Sequence, residues 1–176
     1  FIIPLAFVGV LIGTFTFSYL TNDHIRIIIG LMAIIFCLDY YFRKDSDKPK
    51  KPSKFASYFW PSLSGFTSFS IHAGGLPLSF YLLPMRLDRT MYVATAGLFY
   101  LLINLFKIFP YAYLGEMNFE NIYTSLLLLP LAPLGVYFGA YLVDKIGQDW
   151  FYKIGYFCTL LAGCKLFYDG SIRLFL

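Results

Sequence analysis

Apolar stretches alternate with short polar turns along the whole chain. A stretch of about 20 apolar residues is long enough to cross the hydrocarbon core of a bilayer as a helix. The pattern therefore predicts an all-α, polytopic membrane protein, a helical bundle of about six transmembrane segments. The expected segments cover residues 2–20, 25–42, 58–84, 90–113, 122–143 and 150–168.

The third segment, 58–84, carries polar and helix-breaking residues at its centre. They are Ser68, Ser70, His72, Gly74, Gly75 and Pro77. Unpaired backbone groups are costly in lipid, so a broken helix survives there only where protein or a water-filled cavity supplies partners. The break therefore predicts a site. The alternative is a proline kink whose backbone groups bond side chains of neighbouring helices.

Pro77 is expected to begin a second half-helix, 77–83, because proline is favoured at the first helical position. The amides of Gly75, Leu76 and Leu78 would then be free at a helix end that carries partial positive charge. Such ends bind anions, and secondary transporters place them near the middle of the membrane. The sequence therefore predicts an anion site at this half-helix.

Residues at spacings of three and four form one stripe along segment 90–113. They are Gly97, Tyr100, Asn104, Lys107 and Tyr111. Lys107 either attracts an anion or, as its place near the helix end favours, snorkels to the headgroups. Asn104 either lines a route or forms an interhelical hydrogen bond. His72 either relays protons or donates to a carbonyl of the broken turn.

The break and the stripe together give the expected substrate-binding residues. These are Ser68, Ser70, His72, Gly74, Gly75, Leu76, Pro77, Asn104 and Lys107. No catalytic residue, metal or cofactor is expected. The two histidines, His24 and His72, stand far apart, and no HExxH, CxxC or paired-acid motif lies near either. An enzyme is therefore the least favoured class.

The composition, 59% hydrophobic and 14% charged, excludes an ordinary soluble domain. Basic residues concentrate in one loop, at Arg43, Lys44, Lys48, Lys50, Lys51 and Lys54. A cytoplasmic loop of a membrane protein explains them, and no nucleic-acid partner is expected. The predicted location is the cell (inner) membrane, with several passes. The expected partners are the lipid bilayer and a small anionic solute, with a homo-oligomer left open.

Residues near the amino terminus recur later in the chain at a constant offset. The pairs are Pro4 and Pro130, Leu5 and Leu131, Ala6 and Ala132, Gly9 and Gly135, Val10 and Val136, Gly13 and Gly139, and Asp23 and Asp149. A duplicated fold is therefore expected, as in many secondary transporters. We assign 1–43 to the end of a first repeat, 44–56 to the basic loop and 57–176 to the second repeat. The broken segment of the first repeat would precede Phe1.

Several of these features occur together as longer motifs. They are GFTSFSIHAGG at 65–75, YLLPMRLDR at 81–89, the set Asn104, Lys107, Pro110 and Tyr111 with Gly115, and the helix 135–139 leading to Asp144. Together they resemble the TauE/SafE sulfite-exporter family of bacterial membrane proteins. The resemblance implies about eight spanning segments in two halves, of which this chain has the last six. It also implies transport of small sulfur-containing or organic anions such as sulfite, sulfonates or thiosulfate.

Two topologies remain open for segment 58–84, with full crossing as the default and a re-entrant hairpin as the alternative. Full crossing puts Arg86 and Arg89 opposite the basic loop and Glu116 and Glu120 on its side, against the positive-inside trend. The hairpin puts the two arginines on the side of the basic loop and the two glutamates on the opposite side, which fits the trend. The leading function is a secondary transporter of a small anion. The alternative is a non-transporting membrane scaffold or anchor subunit, which needs only apolar helices and small-residue interfaces.

Overall fold

All regular structure is helical over the residues that the computed structural model describes, which are 1–16, 22–42, 48–114 and 119–175. The helices are α1 Ile2–Thr16, α2 Asn22–Phe42, α3 Lys54–Ile71, α4 Gly75–Leu82, α5 Arg89–Tyr113, α6 Phe119–Leu128, α7 Leu131–Lys145 and α8 Gln148–Phe175. A 3-10 turn, Leu83–Met85, follows α4. The all-α prediction is confirmed. Arg43, Lys44, Gly115, Glu116 and the side chain of Glu120 lie outside the described residues.

Two of the described helices, α2 and α5, are long and apolar enough to cross a membrane by length and composition alone. The outward faces of the helices are apolar as well. Phe15 of α1 is 77% exposed, and Ile35 of α2 and Leu101 of α5 are each 57% exposed. Apolar side chains in such numbers on an outer surface suit contact with lipid.

Helices α3 and α4 run antiparallel and form a hairpin. The rings of Trp60 on α3 and Phe80 on α4 lie 5.1 Å apart. At the base, the Lys50 amide donates to the Pro84 carbonyl at 2.8 Å. Segment 58–84 thus leaves the bundle on the side where it entered. The default prediction of full crossing is wrong, and the re-entrant alternative is the observed one.

The reversal follows from left-handed backbone at His72, whose φ is 55°. The amides of His72 and Ala73 both bond the Thr67 carbonyl and so close α3. Helix α4 then begins at Gly75, ahead of the Pro77 start that the sequence predicted. Proline is tolerated there because the first turn of a helix needs no intrahelical amide bond.

The hairpin also fixes the side on which two arginines lie. Arg86 follows the turn whose Pro84 bonds Lys50, and Arg89 begins α5 directly afterwards. Both arginines therefore share a side with the basic loop. This arrangement agrees with the positive-inside trend that full crossing violated.

Helix α1 lies parallel to α3 at a distance that only small residues allow. A Cβ on Gly65 of α3 would overlap the carbonyl oxygen of Ala6 on α1. Farther along both helices, a Cβ on Gly13 would lie 3.1 Å from the ring of Phe69. Small residues at such positions let two membrane helices bring their backbones together.

Helices α2 and α8 pack antiparallel and form the other side of the bundle. A Cβ on Gly30 would lie 2.7 Å from the carbonyl oxygen of Gly163. Toward the other end of α2, the Cys37 thiol donates to the Tyr156 carbonyl at 3.4 Å. Helix α4 packs against this pair, with Phe80 in one cluster with residues of both helices.

The predicted segment 122–143 is interrupted rather than continuous. Helix α6 ends before Leu129, and α7 begins after Pro130. Pro130 has no amide to bond four residues back, so the helix is locally replaced by turns. No residue of α7 is buried among the described residues. This helix therefore lies at the edge of the described bundle.

Candidate functional site

Side chains satisfy the backbone carbonyls at the hairpin tip, which allows the break to be buried. Ser64, fully buried on α3, donates its hydroxyl to the Gly74 carbonyl at 2.7 Å. From α5, the Tyr111 hydroxyl donates to the Phe69 carbonyl at 3.1 Å. Carbonyls that would otherwise be orphaned in lipid thus have partners. The break is a stable feature of the fold.

Lys107 of α5 points into the hairpin tip and is only 5% exposed. Its Nζ donates to the Ser68 carbonyl at 2.9 Å and to the Ser68 hydroxyl at 3.2 Å. The ammonium thus lies at the carboxyl end of α3, where the helix dipole favours a cation. The prediction that Lys107 snorkels to the headgroups is wrong. The hairpin tip comes level with this turn of α5 and supplies partners inside the bundle.

The amides predicted to be free are mostly bonded. The Leu76 amide donates to the Ala73 carbonyl at 3.3 Å, and the Leu78 amide donates to the Gly74 carbonyl at 3.2 Å. The Gly75 amide has no backbone partner outside its own helix in the described part of the chain. The helix end therefore offers an anion fewer donors than the sequence predicted, because α4 begins earlier than expected.

A cavity of about 550 Å³ opens beside the tip, between the α3–α4 turn, α5 and α8. Its wall is mainly apolar, with polar groups at His72, Ser79, Tyr92, Tyr100 and Thr159. No carboxylate lines it within the described residues. Lys107 lies close by, since its Nζ is 5.6 Å from the Tyr111 ring, which is 6.2 Å from the His72 ring. An anion in the cavity would therefore have the Lys107 ammonium within about 12 Å of the His72 ring and would meet no carboxylate among the described lining residues.

The structure brings most of the predicted site residues to the tip. Those that line the cavity are His72, Gly75 and Leu76. Those that form the bonded tip are Ser68, Gly74 and Lys107. Those buried in the packing around it are Ser70 and Pro77. The remaining residue, Asn104, is exposed.

Asn104 is exposed and lies outside the site, although Tyr100, Lys107 and Tyr111 of the same predicted stripe reach it. Ile103 is fully buried, and successive helical residues are about 100° apart, so Asn104 lies at the edge of the buried face of α5. Tyr92 and Ala96 line the cavity with Tyr100 but are not among the residues predicted from the sequence. Their regular spacing of four residues is the signal that could identify them. The α8 residues that line the cavity left no local signal, because they meet the tip only in the folded chain.

The base of the hairpin is tied to α2 and α8. The Arg86 guanidinium donates to the Tyr40 hydroxyl at 3.2 Å and lies 3.6 Å from the Asp149 carboxylate. The Leu87 carbonyl accepts from the Tyr152 hydroxyl at 2.6 Å. These contacts give the YLLPMRLDR motif a positioning role. The hairpin is held by α2 and α8 at its base and by α5 at its tip.

Alanine substitutions at the two adjacent tip glycines, Gly74 and Gly75, are expected to have different effects on stability. A Cβ on Gly74 would lie 2.6 Å from the Ser64 carbonyl oxygen, so Gly74→Ala is expected to lower the free energy of unfolding by about 1–3 kcal/mol. A Cβ on Gly75 would lie 3.6 Å from the Tyr100 hydroxyl, an ordinary contact. Gly75→Ala is therefore expected to fold normally and to narrow the cavity. Thermal unfolding in detergent measures both, and equal losses would contradict this assignment.

Comparison with known proteins identifies the family to which the chain belongs. The family model described as Sulfite exporter TauE/SafE matches residues 1–166. No curated protein and no solved structure matches the chain. The family is one of membrane transporters rather than enzymes. Since the match covers nearly all of the sequence, the chain belongs to the TauE/SafE family and is a polytopic membrane protein.

Proposed function

We propose that this protein is a multi-pass secondary transporter of the cell (inner) membrane that carries a small sulfur-containing or organic anion, such as sulfite, a sulfonate or thiosulfate. The family supports export of an anion or sulfur compound. One observation carries the choice of site. The buried Lys107 ammonium lies at the hairpin tip, next to a cavity whose described wall contains no carboxylate.

A buried lysine favours an anion for a physical reason. An ionisable residue inside a membrane protein is costly and usually marks a pathway or a binding site. The bonds from Lys107 to Ser68 offset part of this cost but leave the net positive charge in place. Charges interact more strongly in an apolar cavity than in water. Anions are therefore attracted to the tip, and cations are repelled.

The size and the wall of the cavity favour an anion that has both a charged group and an apolar part. A water molecule occupies about 30 Å³ in the liquid, so a cavity of about 550 Å³ has room for a solute of several heavy atoms with water. The hydroxyls of Tyr100 and Thr159 supply donors, and the rest of the wall is mainly apolar. A sulfonate, with a charged head and a carbon-bearing tail, matches both features.

Among the described residues that line the cavity, His72 is the one whose side chain ordinarily exchanges a proton near neutral pH. It caps α3 in a left-handed conformation, so its side chain is displayed at the reversal of the chain. The Tyr111 ring lies 6.2 Å from the His72 ring, and the Lys107 Nζ lies 5.6 Å from the Tyr111 ring. A proton held at this position would add to the positive charge that an anion meets. Transport would then depend on pH.

Replacing His72 with alanine is expected to abolish anion flux or to remove its dependence on pH. The measurement is solute flux into proteoliposomes that contain the protein, with sulfite, thiosulfate, taurine and sulfoacetate tested between about pH 5.5 and 8, a range that spans the ordinary histidine pKa of about 6.5. His24→Ala is the matched control, because His24 is exposed on α2. Unaltered flux across this range would reject the role of His72.

The same assay separates the transporter from the scaffold alternative. A scaffold or anchor subunit would give folded proteoliposomes with no flux of any solute in the panel. It would also tolerate substitution of Gly75 without loss of activity in cells. Flux of at least one anion that Gly75→Ala alters would exclude the scaffold.

A further inference from the structure

Three lysines form a basic edge on the surface where the chain enters α3. They are Lys50, Lys51 and Lys54, and all three are exposed. None of them takes part in an ion pair within the described residues. No aspartate or glutamate occurs from residue 48 to residue 87. The segment that carries the basic edge therefore does not neutralise it.

The acidic residues nearest in the sequence precede α3 and leave an excess of positive charge. Asp39 of α2 lines a small hollow together with Lys48 and Lys50. Two lysines and one carboxylate thus meet at this hollow, and its net charge stays positive. Asp45 and Asp47 lie outside the described residues.

Exposed aromatic side chains follow the basic edge along the outer face of α3. Phe55 is 73% exposed, and its ring stacks on that of Phe59 with the centroids 5.2 Å apart. Tyr58, in the same turn, is exposed as well. At 1.5 Å per residue, Phe59 lies about 7.5 Å along the helix axis from Lys54. Charge and apolar rings therefore form two successive layers on one surface.

The two layers match the two parts of an anionic phospholipid. Lysines beside a membrane attract anionic headgroups, and aromatic rings prefer the level of the headgroups. Apolar side chains of membrane-surface helices reach about 5–10 Å into the boundary between headgroups and acyl chains, which is the depth of the rings below the lysines. A soluble anion would use the charge but not the rings.

We propose that the basic edge and the rings of Phe55 and Phe59 together form a binding surface for an anionic phospholipid. The ammonium groups bind its phosphate, and the rings contact its glycerol and the first part of its acyl chains. None of these residues lines the cavity at the hairpin tip. The surface is therefore separate from the proposed anion site and does not depend on which solute is carried.

The position of this surface connects the lipid to the hairpin. The Lys50 amide donates to the Pro84 carbonyl at 2.8 Å, so the segment that carries the basic edge also closes the base of the hairpin. A ligand that binds the folded protein and not the unfolded chain stabilises the fold by mass action. The bound phospholipid therefore stabilises the α3–α4 hairpin at its base.

Native mass spectrometry of the purified protein in a neutral detergent tests this proposal. Phosphatidylglycerol and phosphatidylcholine with identical acyl chains are titrated separately, and thermal unfolding is followed in the same samples. We expect phosphatidylglycerol to bind more tightly and to raise the unfolding temperature further. Equal binding of the two lipids would overturn the proposal.

The triple variant Lys50→Gln, Lys51→Gln and Lys54→Gln removes the charge of the basic edge and keeps the Lys50 backbone amide that bonds Pro84. A lysine near an anionic membrane surface contributes about fivefold in affinity, so the triple variant is expected to bind phosphatidylglycerol about a hundredfold more weakly. If the triple variant binds this lipid as tightly as the unchanged protein, the proposal is wrong.

The matched control removes three exposed lysines from α7 and α8, by Lys145→Gln, Lys153→Gln and Lys165→Gln. Its net charge equals that of the triple variant, and it is expected to keep its preference for phosphatidylglycerol. A second variant, Phe55→Ala, keeps the charge and is expected to bind the lipid more weakly.

Glycerol 3-phosphate distinguishes a lipid surface from a site for soluble anions, because it carries the phosphate without acyl chains. It is expected to leave bound phosphatidylglycerol in place at equal concentration. Displacement would overturn the proposal in favour of a soluble anion. None of these measurements uses transport, so the anion-carrier proposal is tested separately.

Discussion

Lys107→Gln is expected to reduce anion flux severely while the protein stays folded. Glutamine can still donate to the Ser68 carbonyl, but it removes the positive charge beside the cavity. A positive unit charge this close to an anion in the cavity strengthens its binding free energy by about 1–2 kcal/mol at an effective dielectric of about 20. This corresponds to about tenfold in anion affinity. The measurement is the concentration dependence of flux in proteoliposomes.

Lys107→Met separates the structural role of this lysine from its charge. Methionine leaves the Ser68 carbonyl without its donor, and the loss of a hydrogen bond to a charged group is expected to cost about 1.5–3 kcal/mol of stability. Lys153→Gln is the matched control, because Lys153 is exposed on α8. If Lys107→Gln keeps the flux and affinity of the unchanged protein, the hairpin tip is not the anion site.

Gly9→Val is expected to be the most damaging single change in the α1–α3 pair. The new Cβ would overlap the carbonyl oxygen of Ser62, and backbone cannot turn aside as a flexible side chain can. Overpacking usually costs about 1–3 kcal/mol, and we expect the upper end of this range or more because the two helices must separate. Thermal unfolding followed by size-exclusion chromatography in detergent measures the loss.

Gly97→Val is the control for the helix propensity of valine. A Cβ at Gly97 on α5 meets nothing within 4 Å. The control is expected to change stability by less than about 1 kcal/mol, the usual size of a propensity effect. Equal instability of both variants would show that the close approach of α1 and α3 is not what stabilises this side of the bundle.

The hairpin shows how far the sequence of this protein can be interpreted on its own. The sequence predicts the break near His72, because polar and glycine residues of this kind have no place in a plain membrane helix. It does not predict the direction of the chain after the break, because that direction depends on one left-handed residue and on a contact between Lys50 and Pro84 at the base. A hydropathy pattern gives only the length and the polarity of a segment, and these are the same for a full crossing and for a re-entrant hairpin.

The burial of Lys107 and the exposure of Asn104 differ from expectation for the same physical reason. The place of Lys107 near the end of α5 suggests a shallow position, whereas its burial depends on the height that the hairpin tip reaches. Spacing puts Asn104 on the stripe, but spacing alone cannot tell the middle of a helix face from its edge. The burial of Lys107 and the exposure of Asn104 both depend on neighbouring helices that are distant in the sequence.

The short arm of the hairpin has an electrical consequence. Helix α4 has eight residues and is therefore about 12 Å long, well under the roughly 30 Å of a hydrocarbon core. A hairpin with an arm of this length and its base at the membrane surface ends part-way across the core. A negative ion that moves between the tip and either aqueous phase would then cross only part of the transmembrane voltage, whose full drop is worth about 2.3 kcal/mol per elementary charge at 100 mV.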